Sequence, residues 1–293
     1  MVNQEKSEYM KTGIIGLGAM GLGMARRVAD AGFLTAVYNR TASKADDLAK
    51  ELTVTAYLAV EDLAAQVDLV LICVSADKDV LALINAISHR IKPDTIVVDM
   101  STVSSETALE AADILAKKTV SFLDAPVSGG VEGANKGTLS MMVGGDAGVL
   151  ETVRPILASM ATRITYMGAT GSGQATKAVN QIMCAGINQA VSEALAFGQA
   201  QGLPMEKVID VISAGAAGNW FLDKRGKTMT NGTFTPGFKL SLHHKDLLIC
   251  QKMAERINFP IPVSDMTIAD YAKLMAGGYG DEDISALFRL KGK

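Results

Sequence analysis

The sequence predicts an α/β chain in three parts: an amino-terminal domain on a doubly wound parallel sheet, one long helix, and an all-α carboxy-terminal domain. Three observations lead there. Short apolar β-rich runs alternate with amphipathic helical stretches as far as Tyr166. From Ala175 to Ala200 only Lys177 and Glu193 are charged, and no proline interrupts. Past Gln201 the strand signals vanish. The expected division is residues 1–168 and 169–293, with 169–201 as the helix between the domains.

Composition narrows the partners. A chain of 293 residues, 48% hydrophobic and 20% charged, has material for two domains with substantial cores. A net charge of −3 gives no electrostatic footprint for nucleic acid or an anionic membrane. Met1 to Lys11 is polar and of mixed charge, unlike a secretory signal. The asparagines, glutamines, Lys177 and Glu193 of the apolar helix favour burial in protein over a membrane span. Cys73, Cys184 and Cys250 are widely spaced, with neither a disulfide framework nor zinc spacing, and fit reduced thiols in the cytoplasm. With three histidines in the chain, no metal site is expected.

The first element is the run Thr12 to Ile15, which leads into Gly16-Leu17-Gly18-Ala19-Met20-Gly21 and then into helical spacing from Leu22. This is strand, glycine turn, helix. Gly16 allows the tight turn, Gly18 lets the backbone approach a pyrophosphate, and Gly21 allows close helix–strand packing. The helix N-terminus adds N–H groups for the anion. The six residues 16–21 are therefore assigned to dinucleotide binding in a Rossmann-like domain. The second strand, Leu34 to Tyr38, ends in Asn39-Arg40-Thr41 where NAD-binding folds commonly carry a carboxylate for the ribose hydroxyls. Arg40 can stack on adenine or meet a 2′-phosphate with its forked donors, and Thr41, Ser43 and Lys44 can add contacts. This favours NADP(H), with NAD(H) as the alternative.

Asp68 to Val74, Thr95 to Met100 and Val120 to Leu123 read as further strands, and Arg163 to Tyr166 as the last. Ligands in such sheets lie beyond the carboxyl ends of the strands, where Val74, Ser75 and Thr102 fall. Each is a cofactor contact or a helix cap. The glycines after Ser128, beginning with Gly129 and Gly130, form either a nest of N–H groups for a carboxylate, with the Ser128 hydroxyl beside it, or a glycine-rich hairpin turn.

The long helix would span about 40 Å. Lys177, Asn180, Gln181, Cys184 and Asn188 share one stripe of it. Lys177 is either a lysine snorkelling to water or a functional group. Beyond the helix, Met205 to Ser213, Trp220 to Thr230, Lys239 to Ile257, Pro262 to Met275 and Asp283 to Leu290 read as helices. Trp220 lines a pocket or packs in the core, and Asp223 with Lys224 and Arg225 reads as a solvated face.

Four segments together resemble the β-hydroxyacid dehydrogenases, the group of 3-hydroxyisobutyrate dehydrogenase, tartronate semialdehyde reductase and glyoxylate/succinic semialdehyde reductase. They are GLGAMG at 16–21, DAPVSGG at 124–130 with GTLSMMVGG at 137–145, GSGQATKAVNQ at 171–181, and Lys245-Asp246-Leu247. The resemblance implies that Lys177 is the catalytic lysine and that Asn180 helps hold the substrate. Ser128, Gly129 and Gly130 would bind its carboxylate, and Thr102 and Lys245 would contact the cofactor. Asn39-Arg40-Thr41 resembles the NADPH-dependent members. Asn180-Gln181 stands where many members have two asparagines, as it also does in some reductases. His243 and His244 have no counterpart role.

A lysine suits this chemistry. Reducing an aldehyde by hydride leaves an alkoxide, which needs a proton and a nearby positive charge, and partial burial would lower the lysine pKa toward the working range. The expected reaction is NADPH-dependent, reversible reduction of a small carboxyl-bearing aldehyde: glyoxylate, or succinic, tartronate or methylmalonate semialdehyde. Alternatives are an NAD-dependent 3-hydroxyisobutyrate dehydrogenase and a non-catalytic dinucleotide-binding interaction module. The resemblance also implies a homodimer or homotetramer.

Overall fold

The structure is a computed structural model that describes residues 10–291. The described residues up to 177 and those from 178 onward form two compact units, called here the sheet unit and the helical unit.

In the sheet unit, β1 (Thr12–Ile15), β2 (Leu34–Tyr38), β3 (Thr55–Ala56), β4 (Leu69–Ile72), β5 (Ile96–Asp99) and β6 (Ser121–Asp124) are mutually parallel. They lie in the order β3-β2-β1-β4-β5-β6. The order reverses between β1 and β4, the switch point beyond whose strand ends dinucleotides bind. Helices α1 (Ala19–Asp30), α2 (Ala42–Leu52), α3 (Val60–Ala64), α4 (Asp77–Ile87) and α5 (Ser105–Ala116) connect these strands. Alternate strand residues face opposite layers. Ile14, Leu69, Leu71 and Val98 pack with Met24, Val28 and Leu48, whereas Ile15, Val70, Ile72 and Val97 pack with Leu63, Val80, Ile84 and Leu115. A strand buried on both faces must be apolar throughout, which is why these runs do not alternate in the sequence.

The sheet continues past β6. Strand β8 (Leu139–Gly145) pairs antiparallel with β6 and with the two-residue β7 (Val127–Ser128), and parallel with β9 (Ala161–Gly168). The glycines around 137–145 suggest a turn, yet Leu139, Met141 and Val143 are fully buried core. The glycine-rich hairpin expected after Ser128 is a turn leading into the short helix α6 (Gly130–Lys136). Helix α7 (Ala147–Leu157) joins β8 to β9.

Helix α8 (Ser172–Ala200) runs 29 residues through the division between the units. The division falls inside the helix because its first turns are hydrogen-bonded into the sheet unit. The helical unit continues with α9 (Met205–Ser213), α10 (Trp220–Thr230), α11 (Leu240–Arg256), α12 (Pro262–Ala276) and a 3₁₀ helix at Ile284–Leu290. Leu195, Ile209, Phe221, Leu247, Tyr271 and Leu287 form its core. Trp220 stays out of that core, 63% exposed, with the Arg225 guanidinium 5.5 Å from its ring centroid. Arg225 is not a purely solvated residue, because it pairs at 3.0 Å with the buried Asp283. That carboxylate also accepts the Gly237 and Phe238 N–H groups, pinning the loop ahead of α11.

Among the described residues, no helix is long and apolar enough to cross a membrane, and no group of three or more acidic, Cys or His side chains is placed to hold a metal.

Candidate active site

The glycine turn after β1 takes the form its sequence requires. Gly16 has φ +98°, and a Cβ there would stand 2.1 Å from the Cys73 carbonyl oxygen. A Cβ on Gly21 would stand 1.9 Å from the Gly16 oxygen, so any side chain would force the start of α1 off the loop. Gly18, at the N-cap, is different: a Cβ there would meet nothing within 4 Å. Gly18 therefore faces open space at a helix N-terminus with no acidic residue in its first turn. These features fit a dinucleotide pyrophosphate. Leu17, Ala19 and Met20 complete the loop. The Leu17 N–H donates to Asn39 Oδ1 at 3.0 Å, and Asn39 Nδ2 donates to the Thr41 carbonyl at 3.0 Å. Asn39 thus braces the glycine loop against the end of β2, a role the sequence did not disclose. Arg40 projects outward, its side chain 92% exposed, with Asp79 the nearest carboxylate at 3.9 Å. Thr41 occupies the N-cap of α2 without a side-chain capping bond.

The ends of β4 and β5 are joined by short polar links. The Val74 N–H donates to Ser101 Oγ at 2.9 Å, and the Ser101 N–H donates to Asp99 Oδ1 at 2.9 Å. Ser75 and Thr102 are not the caps of the helices that follow. Ala76 precedes α4, and Ser104 caps α5 by accepting the Thr107 N–H. Burial pushes the Asp99 carboxyl up to about 6, against hydrogen bonds from Ser101, with the carboxylates of Asp124 and Asp77 adding to the rise. Burial likewise raises Asp124, against N–H donors at the start of α8.

Those donors are what fix the lysine. Asp124, at the end of β6, accepts the Gly171 N–H on Oδ1 at 2.8 Å and the Gln174 N–H on Oδ2 at 2.9 Å. A carboxylate here satisfies orphan amides and meets the positive end of the helix dipole. Only glycine permits the approach. A Cβ on Gly173 would lie 2.4 Å from the Met142 oxygen and 2.5 Å from the Asp124 oxygen. Gln174 then clamps the turn after β5, donating to the Ser101 carbonyl at 2.8 Å and accepting the Val103 N–H at 3.1 Å.

One turn further on, Lys177 is 7% exposed, and its ammonium donates to the Val127 carbonyl at 2.9 Å. It is a buried cation rather than one that snorkels to water. Ser128 is the next residue along β7, followed by Gly129 at φ +133° and Gly130 at φ +64°. The sheet unit therefore gathers Lys177 beside Ser128 and the two glycines, and the 16–21 loop beside Asn39. Gln174, Asp124 and Asp99 had no role in the sequence reading. The signal for Gln174 was its place three residues before Lys177 on the same stripe.

In the helical unit, Asn180 and Lys245 meet through two residues that also carried no role. Lys245 pairs with Asp246 Oδ1 at 2.8 Å, Asp246 Oδ2 accepts from Gln181 Nε2 at 2.6 Å, and Gln181 Oε1 accepts from Asn180 Nδ2 at 2.7 Å. His243 is fully buried, with Nε2 at 3.2 Å from the Gln181 carbonyl and Nδ1 at 3.1 Å from the Tyr271 hydroxyl. It holds the network together. Burial lowers the His244 pKa.

The chain is similar to several known proteins over nearly its whole length. Residues 11–168 match the family model described as the NAD binding domain of 6-phosphogluconate dehydrogenase. Residues 171–291 match the one described as NAD-binding of NADP-dependent 3-hydroxyisobutyrate dehydrogenase. The chain is 35% identical to 2-hydroxy-3-oxopropionate reductase of Escherichia coli, over 95% of this chain and 96% of that protein. It is 32% identical to the NAD-dependent L-serine dehydrogenase of Pseudomonas aeruginosa, over 94% and 96%. The structure of Mycobacterium tuberculosis 3-hydroxyisobutyrate dehydrogenase with L-serine superposes with a TM-score of 0.88 at 29% identity, covering 96% of this chain and 98% of that one.

Proposed function

Because the chain belongs to the β-hydroxyacid dehydrogenase family, it is an NAD(P)-dependent enzyme acting on the CH–OH group of a hydroxyacid, and we propose that it runs as an NADPH-dependent reductase of a small carboxyl-bearing aldehyde. The observation that carries this reading is the buried Lys177 ammonium beside Ser128. A proton donor there is shielded from water and fixed by its bond to the Val127 carbonyl, so little reorganisation precedes transfer.

In this reading residues 16–21 hold the pyrophosphate, and Val74, Ser75, Thr102 and Lys245 are further cofactor contacts. When bound, the cofactor supplies or accepts the hydride. Ser128 with the Gly129 and Gly130 amides takes the substrate carboxylate, which sets the carbonyl group toward Lys177. Lys177 gives its proton to the oxygen as negative charge develops there, and in the reverse direction its neutral form removes the hydroxyl proton. Asn180, one helical turn along, is a further substrate contact.

NADPH is favoured because Asn39 spends its side chain on the glycine loop and the exposed Arg40, held only at 3.9 Å by Asp79, can turn to a 2′-phosphate. The Asp79 carboxylate near Arg40 supports the alternative of NAD(H). Kinetics with each cofactor on wild type and Arg40→Ala separate the two. NADPH preference predicts a rise of about tenfold or more in KM for NADPH, with NADH little changed. Equal effects on both cofactors, or a wild-type preference for NADH, would refute it.

A further inference from the structure

The first turns of α8 are tied to the sheet in two ways, and the two fix different degrees of freedom. Asp124 takes the Gly171 and Gln174 main-chain amides at the helix end. Those bonds set the depth of the helix more than its rotation. Gln174 acts off the axis. Its side chain, 1% exposed, donates from Nε2 to the Ser101 carbonyl at 2.8 Å and accepts the Val103 N–H on Oε1 at 3.1 Å. A carbonyl only accepts and an N–H only donates, so the amide has one orientation there. The groups it grips are the peptide carbonyl before Thr102 and the peptide N–H after it. That turn is also fixed from the strand side. Asp99 Oδ1 accepts the Ser101 N–H and Ser101 Oγ accepts the Val74 N–H, each at 2.9 Å. Thr176, by contrast, spends its hydroxyl on the Ser172 carbonyl inside the helix.

We infer that Gln174 is a positioning residue that sets the rotation of α8 against the turn carrying Thr102, and so holds the Lys177 ammonium in register with the cofactor. The inference rests on the reading that Lys177 gives the proton and Thr102 contacts the cofactor. All the residues it uses belong to the sheet unit. Hydride must reach the carbon and the proton the oxygen of one carbonyl group, so the separation of their two sources matters as much as the place of either. Residues three apart on a helix share a face, which puts Lys177 on the side that Gln174 anchors. A lysine ammonium stands roughly 8 Å from its helix axis, so a rotation of about 10° carries it by about 1 Å. Such a rotation would also draw the ammonium off the Val127 carbonyl, 2.9 Å away. A misplacement of about 1 Å can cost about a hundredfold in rate.

The test is Gln174→Met in the full-length enzyme, alone and combined with Lys177→Ala, with NADPH and the aldehyde that wild type reduces best. Methionine keeps the length of the side chain and removes both bonds. The kcat per NADPH-binding site should fall at least about tenfold, and NADPH affinity should change less than about threefold, because Asp99 and Val74 still hold the Ser101 turn. With Lys177 already replaced, the same substitution should cost less than about twofold, since no ammonium remains to misplace. A role in stability alone would cost activity equally in both backgrounds. Gln174→Glu at about pH 8 keeps the shape, loses the donor toward the Ser101 carbonyl, and should show the same pattern. A kcat per site within about twofold of wild type in both variants, or an equal loss with and without Lys177, would overturn the inference. Amide hydrogen exchange needs no turnover. In Gln174→Met the Val103 N–H loses its acceptor and should exchange at least about tenfold faster relative to the amides of β5. If wild type reduces no aldehyde, or Lys177→Ala keeps its rate, the proposed reaction fails. If Val103 keeps its protection, it is the positioning by Gln174 that fails.

Discussion

At the scale of the residue, the site depends on polar groups taken out of water, some fully partnered and some not. Lys177 and Asp99 show the two ways of doing this. The Lys177 ammonium has a carbonyl to rest on, whereas Asp99 Oδ2 is buried without a hydrogen-bond partner among the described residues. The Asp99 carboxyl, raised to about 6 by burial and by the facing carboxylates of Asp124 and Asp77, carries a stability consequence of definite sign. Below pH 4 it is protonated in both the folded and the unfolded chain. Between about 4 and 6 the unfolded chain releases its proton while the fold retains one, so stability falls as pH rises, and the full cost of about 3 kcal/mol is present above pH 6. Asp99→Asn removes the titration. Its stability relative to wild type, from chemical denaturation, should improve by up to about 3 kcal/mol between pH 4 and pH 7.5; a flat difference would contradict the burial argument. The sequence reading singled out the three motif glycines from their strand–turn–helix context, and it singled out Lys177 through the family resemblance, since the helix spacing left a snorkelling lysine open. It missed the parts of Asp99 and Gln174, whose partners are defined by strand ends rather than by chain neighbours.

At the scale of the element, placement of the lysine is a matter of how the start of α8 is seated. Asp124 receives the amides of the first turn, and Gly173 lets that turn lie against the carbonyls of Met142 and Asp124. Gly173→Ala would set a methyl carbon 2.4 Å from a backbone oxygen, and backbone cannot rotate aside as a side chain can. The helix must shift, and Lys177 with it. The variant is expected to lose about 1–3 kcal/mol of stability and at least tenfold in kcat, while cofactor affinity at the distant 16–21 loop changes little. Melting curves and kinetics on the same preparation check this, and unchanged kcat would show that the seating of α8 is not what positions the lysine. The extents of the long helix and of the helices after it were legible from their spacing and from the Pro, Gly and Asn punctuation. Strand β8 was not, since the glycines that let Asp124 and α8 approach the sheet are the same residues that read as a turn.

At the scale of the whole molecule, two compact units share one 29-residue helix, and the chemistry-bearing residues are distributed along it. Gln174 and Lys177 belong to the sheet unit, and Asn180 and Gln181 to the helical unit. The division of labour was readable in the sequence as a change from strand–helix alternation to helices alone. The chain of contacts from Lys245 to Asn180 was not readable, because Gln181 and Asp246 lie 65 positions apart in the chain. The central claim is that Lys177 donates the proton in NADPH-dependent reduction, and one measurement addresses it most directly. NADPH oxidation is followed with glyoxylate and with succinic, tartronate and methylmalonate semialdehydes on wild type and Lys177→Ala, with NADPH affinity determined on the same samples. The account predicts turnover of at least one of these aldehydes by wild type and a fall in kcat of at least about 100-fold in the variant, with NADPH still bound. A variant that retained the wild-type rate would contradict it.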